Sequence, residues 1–163
     1  VAQEYVNAIT TMDWNEVAES IQNSRKLLEA LWKLDENAVA EGIDKAHKEI
    51  SILQYNDENS LSCTIHLAFY FAREYYTIVR ELPTGKGFAD ICLIPRKRYA
   101  DKPAVVIELK WDKSAEGAIR QIKEKNYINA LKEYNGNLLL AGINYDKDSK
   151  KHSCVIERCV KTE

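Results

Sequence analysis

The sequence has no apolar run near the ~18–20 residues that a membrane-spanning helix needs. No secretory leader is expected from Val1 to Thr10 either, since that stretch is amphipathic and includes Gln3 and Glu4. Neither charge sign is in excess: 23 Lys and Arg face 25 Asp and Glu, a net charge of −2. A clamp gripping nucleic acid through many phosphate contacts would be basic, so any such role must rest on a local site or on partner segments. No CxxC occurs. Of the four cysteines, Cys63, Cys92, Cys154 and Cys159, most are expected, from their apolar neighbours, as buried, reduced thiols of a cytoplasmic protein. Zinc-ligand pairs are missing. Gly85-Lys86-Gly87 lacks the spacing and the Gly-Lys-Ser/Thr ending of a phosphate-binding loop and reads as a turn. Nothing supports Ser/His/Asp or Cys/His catalysis, and His66 reads as a packed or hydrogen-bonded core histidine. Repeats, low-complexity tracts and Pro/Gly-rich linkers are absent.

What remains is 163 residues, 45% hydrophobic and 29% charged, enough for one domain with one core. The first third reads helical. Asp13-Trp14-Asn15-Glu16 resembles a capping box, followed by Val17, Ile21, Leu27, Leu28, Leu31, Trp32 and Leu34, with a break expected near Asn23-Ser24. A second start at Asp35-Glu36-Asn37 leads into Val39, Ile43, Ala46, Ile50 and Leu53. Tyr55 to Asn59 is turn-like and marks a subdomain boundary. A helix is expected from about Asn59 to Tyr76, running into a strand that ends near Leu82-Pro83. Phe88 to Pro95 and Pro103 to Lys110 are apolar strands with prolines at their limits. A helix from Ser114 to Tyr134, a turn at Asn135-Gly136-Asn137, a strand from Leu138 to Ile143, a charged turn from Tyr145 to Lys151 and a strand from Ser153 to Val160 complete the order. The expected class is α/β (α+β), with a mixed sheet.

If the two proline-bounded strands pair antiparallel about a loop centred on Tyr99, Pro95 lies opposite Pro103. The same register sets Asp90 opposite Glu108. Directly opposed residues point to one face, and Lys110, two residues beyond Glu108, shares it. Ala104-Val105-Val106-Ile107 is apolar on both faces, as in a covered central strand. Half-buried carboxylates are costly there unless paired or bound to a cation. Two converging carboxylates and a main-chain carbonyl offer hard oxygen to Mg²⁺. A lysine beside them could orient or deprotonate a water, or offset charge on a phosphoryl oxygen. The plainer alternative makes Asp90 the cap of a strand entry and Glu108 an ion-pair partner of Lys110 or Arg120. Arg96-Lys97-Arg98 falls at the far end of the hairpin, ~15–20 Å from Asp90 at the rise of a strand, and reads as a solvated loop or a distant contact to a DNA backbone.

Gly87-Phe88-Ala89-Asp90, an apolar strand, Ile107-Glu108-Leu109-Lys110, then Ala118 to Ile122 and Lys125-Asn126-Tyr127 together resemble the PD-(D/E)xK nuclease superfamily. More narrowly, they resemble the nuclease-like C-terminal domain of bacterial and archaeal proteins whose N-terminal part is an AAA-ATPase-like module. The order matches from about Tyr55 to Arg158, and the helical first third resembles the segment that joins the two modules. The chain begins at Val1 rather than Met and is expected to be a piece of something longer. The resemblance implies a restriction-endonuclease-like core over residues 56–163, preceded by a helical segment over 1–55. It implies a metal-dependent nuclease acting on phosphodiester bonds, in DNA, with Mg²⁺ or Mn²⁺. Asp90 and Glu108 would be the metal carboxylates, the Leu109 carbonyl a third ligand and Lys110 the catalytic lysine. Glu58 would be an additional acid near the metal, or else a solvated acid at a helix start. Gln121 matches the glutamine of the helix after the lysine strand. Lys125, on the same helix face, and Lys113 would contact nucleic acid, the alternative for Lys125 being a plain exposed lysine. The family pattern commonly has Gly-Arg-x-Asp where this chain has Phe88, so one phosphate or carboxylate contact is missing. A non-catalytic nucleic-acid-binding or protein-interaction module of the same fold is the alternative function.

Overall fold

The computed structural model describes residues 12–49, 58–84, 87–124, 131–134 and 136–159. Helix α1 spans Met12–Trp32 and runs unbroken through Asn23-Ser24, where a break was expected. Ser24 is buried there, and its hydroxyl accepts the Phe71 N–H at 2.8 Å, so it ties the helix to the next layer rather than interrupting it. The chain reverses at Leu34, a left-handed residue with φ 57°. Asp35 then caps helix α2, Glu36–Glu49, by accepting the Ala38 N–H at 3.1 Å. Helix α3 covers Glu58–Ala68 and ends earlier than its apolar continuation suggests. A 3₁₀ turn over Tyr70–Glu74 follows, and it carries Tyr76 into the core. The Tyr76 hydroxyl accepts the Trp32 indole N–H at 2.8 Å and donates to the Pro103 carbonyl at 2.7 Å. His66 is half-buried on α3, and among the described residues its Nε2 has no hydrogen-bond partner.

Five strands form one sheet in the order β1-β2-β3-β4-β5: Tyr76–Thr84, Gly87–Pro95, Ala104–Trp111, Leu138–Asp146 and Lys151–Cys159. The β3–β4 pair is parallel and the others antiparallel, so the sheet is mixed as expected. Helix α4, Ala115–Glu124, connects the parallel pair; the remainder of the long helix expected here lies largely outside the described residues, and Lys132–Tyr134 is a 3₁₀ turn. Strand β4 continues to Asp146, and the reversal into β5 is tightened by Asp146, whose carboxylate accepts the Asp148 and Ser149 N–H groups at 2.9 and 2.8 Å.

Strand β3 sorts its side chains by parity. Val105, Ile107 and Leu109 enter a cluster with Leu27, Leu31 and Ile43 of the N-terminal helices and with Leu61 and Ile65 of α3. Ala104 and Val106 enter the opposite cluster, with Cys92, Ile119, Ile122 and Leu140. Helices therefore cover both faces, and α1 and α2 share the main core. The even-numbered residues of β2 and β3 face α4.

Candidate metal-binding active site

Strands β2 and β3 pair in the register that the two prolines predict: Ile91 with Ile107, Cys92 with Val106, Leu93 with Val105. One further step sets Asp90 level with Glu108. There the backbone ladder gives way to a side chain, because Asp90 Oδ2 accepts the Leu109 N–H at 2.8 Å. In an antiparallel strand a residue's N–H and C=O point to the same edge, so the Leu109 carbonyl lies on the edge that Asp90 occupies. Glu108 precedes it and Lys110 follows it, both on the face shared with Cys92 and Val106.

Glu108 is only 1% exposed, while Asp90 and Lys110 are half-buried. A carboxylate in that setting requires polar or charged partners. The Cys92 thiol registers the local negative charge: its pKa is pushed up to about 12, chiefly by burial and then by Glu108 and Asp90. It stays a thiol at neutral pH, which makes it a poor nucleophile. Cys154, also pushed up to about 12 by burial and then by Glu36, is equally inert. Among the described residues no three His, Cys, Asp or Glu side chains gather as a metal cluster. The donors at the end of the β2–β3 ladder are two carboxylates and a main-chain carbonyl. This all-oxygen set fits a small hard cation that keeps several waters.

The turn after β3 fixes how α4 sits over these groups. Asp112 takes a left-handed conformation, φ 54°, and donates its N–H to the Tyr145 carbonyl at 2.7 Å. Lys113 donates its N–H to the side chain of buried Asn144 at 2.9 Å. Ser114 caps α4, its hydroxyl accepting the Gly117 N–H at 3.0 Å. Alongside, Glu108 is paired in the parallel register with Gly142. A β-carbon at Gly142 would stand 2.4 Å from the Ala115 carbonyl oxygen, so the first turn of α4 lies directly on this glycine.

Asp90, Glu108, the Leu109 main chain and Lys110 thus come together at one point of the sheet. Gln121 is half-buried on α4, which covers the same face. Lys113 is exposed at the entry to α4. Glu58 opens α3, which packs against the other face, and its side chain lies outside the described residues, as does Lys125 altogether. Three contributors escaped the sequence reading: Cys92, Asn144 and Gly142. A glycine within an apolar strand run was a signal for close backbone approach; Cys92 and Asn144 carried none.

A family model described as the PD-(D/E)XK nuclease superfamily matches residues 56–154 of the 163. The chain belongs to the PD-(D/E)XK nuclease superfamily. The mixed sheet with helices on both faces is its restriction-endonuclease-like fold. The match reaches from just before α3 into β5 and includes the Asp90, Glu108 and Lys110 strands. Members of the superfamily are usually nucleases and generally use divalent metals. No curated protein matches the chain. No helix among the described residues is long and apolar enough to cross a membrane.

Proposed function

We propose that this protein is a metal-dependent nuclease that hydrolyses phosphodiester bonds in DNA, with Asp90, Glu108 and Lys110 as its catalytic residues. The observation that carries this reading is the end of the β2–β3 ladder, where Asp90 takes over the Leu109 N–H beside buried Glu108. Asp90, Glu108 and the Leu109 carbonyl would hold Mg²⁺ or Mn²⁺. When bound, the ion supplies Lewis acidity toward a phosphoryl oxygen and lowers the pKa of a water. Lys110, on the same face, donates hydrogen bonds to the attacking water or to the phosphoryl oxygen that gains charge. Gln121 orients the same water or phosphate from α4. Lys113 and Lys125 contact the backbone of the nucleic acid, and Glu58 adds a carboxylate from the start of α3. Residues 1–55 link this domain to an AAA-ATPase-like module, and the protein is cytoplasmic.

The test is cleavage of supercoiled plasmid, single-stranded DNA and RNA with Mg²⁺ or Mn²⁺, comparing the wild type with Asp90→Asn and Lys110→Ala. Asparagine at 90 retains an oxygen for the Leu109 N–H and removes only the charge. Loss of DNA cleavage by about 10²–10³-fold or more in both variants is expected, the scale seen when one transition-state donor is removed. Equal cleavage by all three proteins refutes the site. A folded wild type that cleaves nothing indicates the non-catalytic module.

A further inference from the structure

The β2–β3 connection, residues 96–103, concentrates positive charge in a chain that is otherwise acidic. Arg96, Lys97, Arg98 and Lys102 stand against one acid, Asp101, while the whole chain carries −2. Asp101 and Lys102 are mutually engaged at 3.6 Å, and the Lys102 ammonium lies 4.4 Å above the Trp32 ring. Arg96, Lys97 and Arg98 are exposed. Among the described residues none of these three forms an ion pair.

This loop is anchored at both ends. The Arg96 N–H donates to the Tyr75 carbonyl at 2.8 Å, and its Nε donates to the Arg73 carbonyl at 3.1 Å. At the other end the Tyr76 hydroxyl reaches Pro103, and the Asn137 amide reaches the Asp101 carbonyl at 3.2 Å. Between them Tyr99 packs edge-on against Tyr75, ring centroids 4.7 Å apart. A surface ordered before binding loses less entropy on binding. A merely solvated lysine-arginine run has no need of such anchoring.

We propose that the Lys97–Arg98 turn is a second contact to nucleic acid, holding the phosphate backbone of a duplex away from the bond being cut. This extends the nuclease reading and takes its ligand class from it. Arg96 stands six residues up strand β2 from Asp90, about 20 Å at the rise of a strand. That is about six base pairs at the 3.4 Å spacing of one DNA strand. Contacts to phosphate carry no base information. They set position and register on the duplex.

The test measures binding, without cleavage, in the Asp90→Asn background, using a fluorescent duplex of about 30 base pairs at several salt concentrations, a length covering several contact sites. Lys97→Ala with Arg98→Ala removes two cations and leaves anchored Arg96 in place. The slope of log Kobs against log salt is expected to flatten by about 1.8, or 0.9 for each lost phosphate contact. A control with the same charge change elsewhere, Lys48→Ala with Lys151→Ala, is expected to leave the slope unchanged. An unaltered slope in the loop variant overturns the proposal, as does equal flattening in the control or failure to bind duplex at low salt. Displacement of the wild type, but not the loop variant, by polyglutamate with the duplex slope unmoved would assign the loop to an acidic protein and also overturn it. Because binding is read apart from hydrolysis, an inactive wild type defeats the nuclease reading and leaves this measurement standing.

Discussion

Gly142 offers the most direct test of how the fold sets the candidate site. Its absent side chain lets the first turn of α4 rest on β4, next to Glu108. In Gly142→Ala the new methyl would meet the Ala115 carbonyl oxygen at 2.4 Å, the Ala118 β-carbon at 3.0 Å and Ile119 Cγ1 at 3.2 Å. The first of these is backbone and cannot rotate away. Restoring ordinary contact requires α4 to lift by roughly 0.6–1 Å, and such overpacking typically costs about 1–3 kcal/mol. The lift moves Ser114, Lys113 and Gln121 relative to Glu108, so activity falls along with stability; a misplacement on this scale can cost about 10²-fold in rate. Urea denaturation of Gly142→Ala beside Gly42→Ala is the assay. A methyl at Gly42 meets Leu27 Cδ1 at 2.6 Å, the mobile end of a side chain, and its clash is offset by up to ~1 kcal/mol of helix propensity in α2. The expected order is a clear loss for Gly142→Ala and a smaller one for Gly42→Ala. If Gly142→Ala unfolds within about 0.5 kcal/mol of the wild type, the scatter of ordinary surface changes, the close seating of α4 is wrong.

Two further outcomes are expected. Without metal, Asp90→Asn should lose less stability than Asp90→Ala, since it keeps the acceptor for Leu109, whereas Asp90→Ala strands that N–H at a cost of about 1–3 kcal/mol; Mg²⁺ should raise the Tm of the wild type alone, and equal rises in all three would place the ion elsewhere. Acid should destabilise the fold, because burial holds the pKa values of His152 and His47 below 6.5 against the raising effect of Asp44: the unfolded chain then takes up protons first as pH falls through 6.5, so stability is whole above that value and lost below it, by at most about 1.4 kcal/mol per pH unit for His152 and by less for the more solvated His47. A melting temperature that rises between pH 7 and pH 5.5 would contradict this assignment.

The hairpin was legible because its information is local and redundant. Pro95 and Pro103 mark the strand limits, the apolar runs between are of similar length, and one register satisfies both. Capping of α2 by Asp35 was legible for the same reason. What failed was settled by distant residues. The break expected in α1 is absent because Ser24 bonds Phe71, 47 positions on. Helix α3 stops short although its sequence stays compatible with a helix, in a region where the core needs Tyr76 between Trp32 and Pro103. Tyr145, Asp146 and Lys151 read as part of a charged turn; they continue the β4–β5 ladder, and beside them Asp44 accepts both the His152 N–H at 2.8 Å and a contact from its ring nitrogen at 2.7 Å across 108 residues. Hydrophobic patterning reports which residues are buried, and it is silent about a polar residue buried against a partner far along the chain.

The position of Glu108 separates the active-site reading from the structural one. Six consecutive residues of β3, Ala104 to Leu109, are buried, and five are apolar. An isoleucine or leucine buried at 108 would contribute about 1.5–3 kcal/mol through the hydrophobic effect, whereas an ionised carboxylate there must be compensated by partners. A strand serving the core alone gains nothing from the exchange. Nor does it gain from Asp90 taking over a ladder hydrogen bond, since continuing the backbone pairing would satisfy Leu109 without bringing a second carboxylate to the same face. Both departures from the most stable strand fall at one level of the sheet, and both place a carboxyl group there. A bound cation would offset both costs together, so metal-dependent stability is the measurement that discriminates most sharply between a working site and a relic of the fold.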